Sequence, residues 1–466
     1  MIGHFTPGLP DSIRPAVATL GVLLVCIALG WLAHLAGWPR QQVIVAAIVS
    51  GTVLLWVLEI LPLFSTAFMS MAAQILFLGN PGGWSWVGFE DGQGPPSEAF
   101  LRAAVDPVLL LFFSGLILAR AIAKTGVHHH ITARLLRPMA GTPSRLLLGV
   151  ILATALLSLV MSNTATTALM LTLIAPILRQ LPATDAFRKA LVLAVPTSAN
   201  IAGMSTPVSS PPNAIAMSYL ARADISFGFQ DWIVLAGPVV IILLAATWWW
   251  LLRCYPPGGT EWQLTFSEAS LSGRGVWVVT VAALTFAAWL SEPWHGVPAS
   301  VAALLPVALF FATAIIDRDD VNSLDWDVLI LIAGGLTLGY SLQVTGMDQR
   351  LAAAVPTSAG RFATLAALGF ATLSLGTFFS NTAIASMLMP VAVAVAAGAN
   401  PLDLTSAALM VALAASMSIA LPVSTPPNAM AYASGALTSG DFLRSGGYIG
   451  VCGTVIILLL LGAVGP

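Results

Sequence analysis

Ser162-Asn163-Thr164 and Ser380-Asn381-Thr382 stand in strongly apolar surroundings, and each is followed about fifty residues later by a Pro-Pro-Asn, Pro211-Pro212-Asn213 and Pro426-Pro427-Asn428. A single such tripeptide is three common residues and carries little. The duplication carries the inference. The tripeptides are 218 residues apart and the Pro-Pro-Asn copies 215, while upstream Gly115-Leu116-Ile117-Leu118 with Thr125-Gly126 aligns with Gly335-Leu336-Thr337-Leu338 with Thr345-Gly346 at an offset of 220. A slowly drifting offset describes two homologous units with small deletions between them. The units are placed at residues 102–252 and 325–466, with N-terminal scaffold helices over 1–101 and a connector with further scaffold helices over 253–324.

Composition sets the solvent. Hydrophobic residues make up 58% of the chain and charged residues 8%, against about a quarter charged in a soluble domain. A spanning helix needs ~20 mostly apolar residues, and Val17–Leu35, Val43–Leu61, Trp232–Leu252, Val276–Leu290, Val301–Ile316 and Gly446–Leu461 are runs of about that kind. The expected fold is an all-α polytopic membrane protein with about 11 transmembrane helices, counted by that length rule. The segment Met1–Leu20 lacks a basic start and a small-residue cleavage site, so the first span is expected to be retained.

Each unit repeats one pattern. The apolar arms Leu146–Val160 and Ala165–Leu178 flank the first tripeptide, and Ala363–Phe379 and Ala383–Ala397 flank the second. Arms of ~15 residues are short for a full crossing at 1.5 Å per residue, so each pair is expected to form a re-entrant helical hairpin with the tripeptide at its tip. A broken helix follows at Ser209-Ser210-Pro211-Pro212 and Ser424-Thr425-Pro426-Pro427, because consecutive prolines remove two amide donors and bar the preceding residue from the α region. Unwound backbone at bilayer depth is tolerated only when buried in protein or lining a cavity. The tips and breaks should therefore converge, and paired broken helices within a repeat favour inverted topology.

Hydroxyls and carboxamides at helix breaks suit two kinds of ligand. Free amides at a helix N-terminus attract anions, and exposed carbonyls and side-chain oxygens suit hard cations. No Lys or Arg lies within or beside the four clusters, so a bound dianion would need helix ends and co-bound cations to balance it. Such a site in such a chain is what a transporter of small solutes requires. An ion channel remains a competing class, and an intramembrane enzyme would need a catalytic base, an Asp pair or a metal motif that the repeated positions lack.

The remaining features have ordinary readings. Cys26, Cys254 and Cys452 are scattered and read as packing residues. The formal net charge of -2 offers no basic patch for nucleic acid. Gly79–Ser97 and Tyr255–Arg274 read as polar linkers. Glu59 is expected to pair at a span end, Arg120 and Lys124 to snorkel to the interface, and the segment of His128, His129 and His130 to form a solvated interfacial helix.

The paired Ser-Asn-Thr and Ser/Thr-Pro-Pro-Asn motifs, with Trp56-Val57-Leu58-Glu59-Ile60-Leu61-Pro62 and Thr66-Ala67 upstream, resemble the divalent anion:sodium symporter family of dicarboxylate, citrate and sulfate carriers. The matches span most of the chain. The resemblance implies a homodimer in a bacterial-type inner membrane, working elevator fashion, with no cofactor beyond sodium as the coupling ion. It implies sodium-coupled import of a small dianion such as a C4-dicarboxylate, with sodium-independent dicarboxylate exchange as the alternative. It places substrate carboxylates against Ser162, Asn163, Thr164, Ser210 and Pro211 of the first unit. From the second unit it adds Ser380, Asn381, Thr382, Thr425 and Pro426. One sodium would use Ser158, Ser162, Asn163 and Ser209, and a second Gly376, Phe379, Asn381 and Ser424. Gly376 departs from the pattern, since a hydroxyl is expected four residues before the second tripeptide.

Overall fold

A computed structural model describes residues 14–90, 92–182, 184–258, 270–354, 360–397 and 402–463. Among these residues the chain is helical and contains no strand. Three helices open it: α1 (Arg14–Leu35), α2 (Arg40–Leu58) and α3 (Leu63–Phe77). The first unit follows as α4 (Ser97–Ala104), α5 (Pro107–Lys124), α6 (Val127–Leu136), α7 (Pro143–Ser158), α8 (Asn163–Gln180), α9 (Phe187–Ala202), α10 (Pro211–Arg222) and α11 (Phe229–Cys254). The connector holds α12 (Gly273–Leu290), α13 (Glu292–His295), α14 (Ala299–Ala302), α15 (Leu304–Ala312) and α16 (Arg318–Asn322). The second unit is α17 (Trp326–Val344), α18 (Met347–Ala354), α19 (Arg361–Phe378), α20 (Asn381–Ala397), α21 (Leu404–Ser416), α22 (Pro426–Ala433), α23 (Ser439–Phe442) and α24 (Tyr448–Ala463).

Local chemistry starts these helices. Asp106 caps α5 by accepting from Val108 N with Pro107 in the first turn, and Thr142 caps α7 by accepting from Arg145 N with Pro143 likewise placed. Asp403 caps α21 in the same way through Ser406 N. Two helices are buried along nearly their whole length, α9 and α21. A helix apolar all round belongs at the centre. In each unit that central helix packs against both arms of its own hairpin, α7 and α8 around α9, and α19 and α20 around α21.

The units also interlock. The second half of the first broken helix, α10, packs on α20 and α21 of the other unit, while α22 packs on α8 and α9. Each break is therefore held by the opposite hairpin, which brings all four polar clusters to one place. Close approach fixes the second break further: a Cβ at Gly446 would overlap the Ile419 carbonyl.

Eight helices among the described residues have the length and apolarity for a crossing, and five apolar helices are shorter, including α7 and α20. The apolar side chains of α1, among them Leu24, Ile27 and Leu32, are exposed. That surface fits a lipid environment.

Several expectations change. The Val43–Leu61 run ends at Leu58, where Glu59 turns left-handed with φ of 48° and its side chain is exposed. The Val301–Ile316 run is divided between α14 and α15 and leaves the helix before Ala314, whose φ is 50°. Arg120 and Lys124 reach carboxylates of the connector. Arg120 pairs with Asp320 at 2.8 Å, and Lys124 with Asp317 at 2.6 Å and with Asp320. His128 is buried, with Nδ1 3.3 Å from Ile122 O, so α6 is not solvated throughout. Each tripeptide stands between its two arms, with Ser162 capping α8 and with Asn163 and Asn381 as the first residues of α8 and α20. Most of the Met1–Leu20 segment and part of the Tyr255–Arg274 linker lie outside the described residues.

Candidate functional site

A cavity of about 320 Å³ lies where the hairpins meet the breaks. Its size is at the low end of small-ligand sites. From the first unit Ser162, Asn163, Thr164, Ser210 and Pro211 line it, and from the second Ser380, Asn381, Thr382, Thr425 and Pro426 do so. Sites more than two hundred residues apart in the chain thus face one space.

Four helix N-termini end at this cavity, those of α8, α10, α20 and α22. An end with free amides carries roughly half an elementary positive charge, so those of α8 and α20 together come to about one. The four ends are of two kinds. Ser162 caps α8 by accepting from Ala165 N at 3.2 Å, leaving the amides of Asn163 and Thr164 without an intrahelical acceptor. The α10 and α22 ends begin with two prolines each and have no amide to offer there. Their contribution is hydroxyl: Ser210 makes no cap bond, while Thr425 Oγ1 accepts from Asn428 N at 3.2 Å. No Lys, Arg or His lines the cavity among the described residues.

The breaks are held by asparagines. Asn213 Nδ2 donates to Gly203 O and Thr206 O, both at 2.8 Å, and Asn428 Nδ2 donates to Ile419 O at 2.9 Å and Leu421 O at 3.0 Å. Both are buried. These side chains supply donors that a continuous helix would have drawn from its backbone.

Residues assigned to cations by the family resemblance divide into two groups. Ser162, Asn163 and Ser209 line the cavity, and so do Asn381 and Ser424. Ser158 lies behind Asn163, its Oγ 2.8 Å from Asn163 Oδ1 and 2.9 Å from Ala199 O. Ser209 Oγ donates to Leu159 O at 3.0 Å, hooking the first break to the first hairpin. Gly376 and Phe379 are not in the lining; Gly376 faces Ser418, and Phe379 ends α19 in an extended conformation.

Three polar lining residues escaped the sequence reading. Asn200, inside α9, accepts from Asn163 Nδ2 at 3.4 Å, and its own Nδ2 reaches Thr425 Oγ1 at 3.3 Å and Asn428 Oδ1 at 3.4 Å. It bridges the two units. The available signal was one carboxamide, beside Thr197 and Ser198, in an otherwise apolar helix. Asp325 and Asp327 bring carboxylates to the cavity from the start of α17. Partial desolvation, and then the Asp327 carboxylate, push the Asp325 carboxyl above the ordinary carboxylate range.

Comparison with known proteins follows the same lines. Residues 53–415 match the family model described as "Citrate transporter". The sodium-dependent dicarboxylate transporter SdcS of Staphylococcus aureus is 27% identical over 488 residues, covering 96% of this chain and 90% of its own length. An inorganic phosphate transporter of Saccharomyces cerevisiae is 28% identical over 86% of this chain and 44% of its own length. An uncharacterized transporter of Schizosaccharomyces pombe is 25% identical, over 95% and 52% respectively. The chain thus spans about half the length of these two yeast relatives. The solved YdaH transporter of Alcanivorax borkumensis superposes with a TM-score of 0.53 at 14% identity, covering 79% of this chain and 89% of that one, which shows a shared fold. With the family model covering most of its length, the chain belongs to the citrate transporter family and is a multi-pass membrane protein.

Proposed function

We propose that the chain is a sodium-coupled secondary active transporter importing a small divalent anion, a C4-dicarboxylate such as succinate. The carrying observation is the convergence of four helix N-termini on a cavity with no basic side chain. About one unit of partial positive charge from the amides of α8 and α20, with the Ser210 and Thr425 hydroxyls, suits an anion. Two carboxylates at the same cavity oppose it, so co-bound cations are the remaining source of balance. The likeness to SdcS, a sodium-dependent dicarboxylate transporter, supports the same reading. The units and connector would form a homodimer in a bacterial-type inner membrane, with the hairpins and breaks moving elevator fashion against the N-terminal helices.

Purified protein in liposomes should accumulate labelled succinate down an imposed sodium gradient. Uptake that ignores sodium but requires internal dicarboxylate would replace symport by exchange, and non-saturating flux would replace both by a channel. Competition by citrate, phosphate and sulfate would rank the anions.

The raised Asp325 pKa carries a signed expectation. Below that pKa the carboxyl is neutral and one negative charge leaves the cavity, so anion affinity should rise as pH falls. A unit charge is worth about 1 kcal/mol at 4 Å even in water, roughly fivefold in affinity. Asp325→Asn should show at neutral pH the lower half-saturating succinate concentration that the wild type reaches only in acid. Both proteins share the titration of succinate itself, so the difference between their pH profiles isolates Asp325. Parallel profiles would discard this role.

A further inference from the structure

The cavity has a hydrocarbon wall that neither the polar motifs nor the charge balance explains. Phe112 and Leu116 line it from α5, and Val328 and Leu331 line it from α17. Residues four or three apart share one face of a helix, so each pair is a continuous apolar strip. The two helices pack on one another, with the Phe113 and Trp326 rings 5.8 Å apart. The strips therefore adjoin, and among the described residues α5 brings no polar side chain to the lining.

Along α17 the lining changes character. Asp325 and Asp327 are exposed, Val328 is half-buried and Leu331 is buried, as are Phe112 and Leu116. Charge stands at the open edge and hydrocarbon further in. This division is usual for a small-molecule site, where a few polar groups orient the ligand and apolar walls cover the rest of it. A ligand polar on every side would match such a wall badly. Phosphate and sulfate present oxygen in all directions, and a hydroxyl turned to the wall would lose its water without gaining a partner. Methylenes have the opposite balance, each one buried being worth about fourfold in affinity.

We propose that Phe112, Leu116, Val328 and Leu331 form a subsite for the carbon chain of the anion, so that the site selects unsubstituted dicarboxylates over hydroxylated acids and inorganic oxyanions. The subsite rests on the dicarboxylate reading above. The polar clusters of the hairpins and breaks would then recognise the two ends of the substrate, and the wall of α5 and α17 its middle.

Equilibrium binding to the purified full chain in detergent, at saturating sodium, tests this with succinate, methylsuccinate, tartrate and phosphate as probes. Methylsuccinate should bind within about fourfold of succinate. Tartrate, the same chain with two hydroxyls, should bind about tenfold more weakly or worse, and phosphate weaker still. Val328→Thr puts a hydroxyl on the wall with almost no change of shape. It should weaken succinate and strengthen tartrate, narrowing the gap between them by about threefold or more, whereas damage to the fold would weaken both. Ile330→Thr, on the same helix but outside the lining, should leave the gap as it is. Tartrate binding as tightly as succinate to the wild type overturns the proposal without any variant, and so does an unchanged gap in a folded Val328→Thr protein. A wild type that binds phosphate or citrate but no succinate removes the dicarboxylate reading and the subsite together. The expected order of probes with uptake indifferent to sodium removes the coupling and keeps the subsite.

Discussion

Replacing Asn163 by alanine is expected to abolish anion uptake, by a hundredfold or more, in a protein that still folds. The carboxamide has one face on the cavity and two internal partners, Ser158 Oγ at 2.8 Å and Asn200 Oδ1 at 3.4 Å. Through Asn200 it is the first link of a chain that continues to Thr425 and Asn428 in the other unit. Truncation therefore removes a ligand and releases the bridge between the units. The cost to folding is smaller. Ser158 keeps Ala199 O as an acceptor at 2.9 Å, and Asn200 Oδ1 is the group left short of a donor, worth about 1–3 kcal/mol. Initial rates of labelled succinate uptake, with melting temperature and monodispersity measured on the same preparation, separate the two effects. Uptake at half the wild-type rate or above would remove Asn163 from the site.

What could be read from the sequence was local. Prolines, cap residues and small polar clusters mark helix ends by their own backbone chemistry, and the ten substrate residues the resemblance named all reached one cavity. The family relation was legible for the same reason, since the motifs sit at those ends. Features made by distant contacts were not. Asn200 is one polar residue inside α9, and its partners Thr425 and Asn428 lie 225 and 228 positions away. The ion pairs of Arg120 and Lys124 could not be foreseen because Asp317 and Asp320 stand roughly two hundred residues further on. Gly376, where a hydroxyl was expected, faces Ser418 on another helix-end segment, a closeness that no local pattern announces. The break itself was misplaced by a few residues. Pro211 and Pro212 begin α10 rather than end α9, so the unwound stretch runs from Gly203 to Ser210.

That unwound stretch makes the second large effect a matter of stability. Residues 201–210 are all buried, and a buried carbonyl needs a donor. Asn213 provides it twice, to Gly203 O and Thr206 O at 2.8 Å. Asn213→Ala would leave Gly203 O bare at about 1–3 kcal/mol, while Thr206 O keeps Ser209 N at 3.4 Å. Polar contacts between membrane helices average a smaller ~0.6 kcal/mol because the separated groups find other partners. The Gly203 carbonyl is held inside a turn between packed helices, so the larger figure applies. Against a net stability of about 5–15 kcal/mol for a folded domain, the variant should melt many degrees lower or fail to yield a monodisperse protein. Asn428→Ala should behave alike through Ile419 O, while Leu421 O keeps the Ser424 N and Oγ donors. Thermal unfolding in detergent, followed by size exclusion, measures this directly, and a wild-type melting temperature for both variants would show that water can replace the clamps. The contrast with Asn163 is the sharper result: asparagines fifty residues apart in one repeated pattern should fail in different assays, the hairpin residue in transport and the break residue in folding.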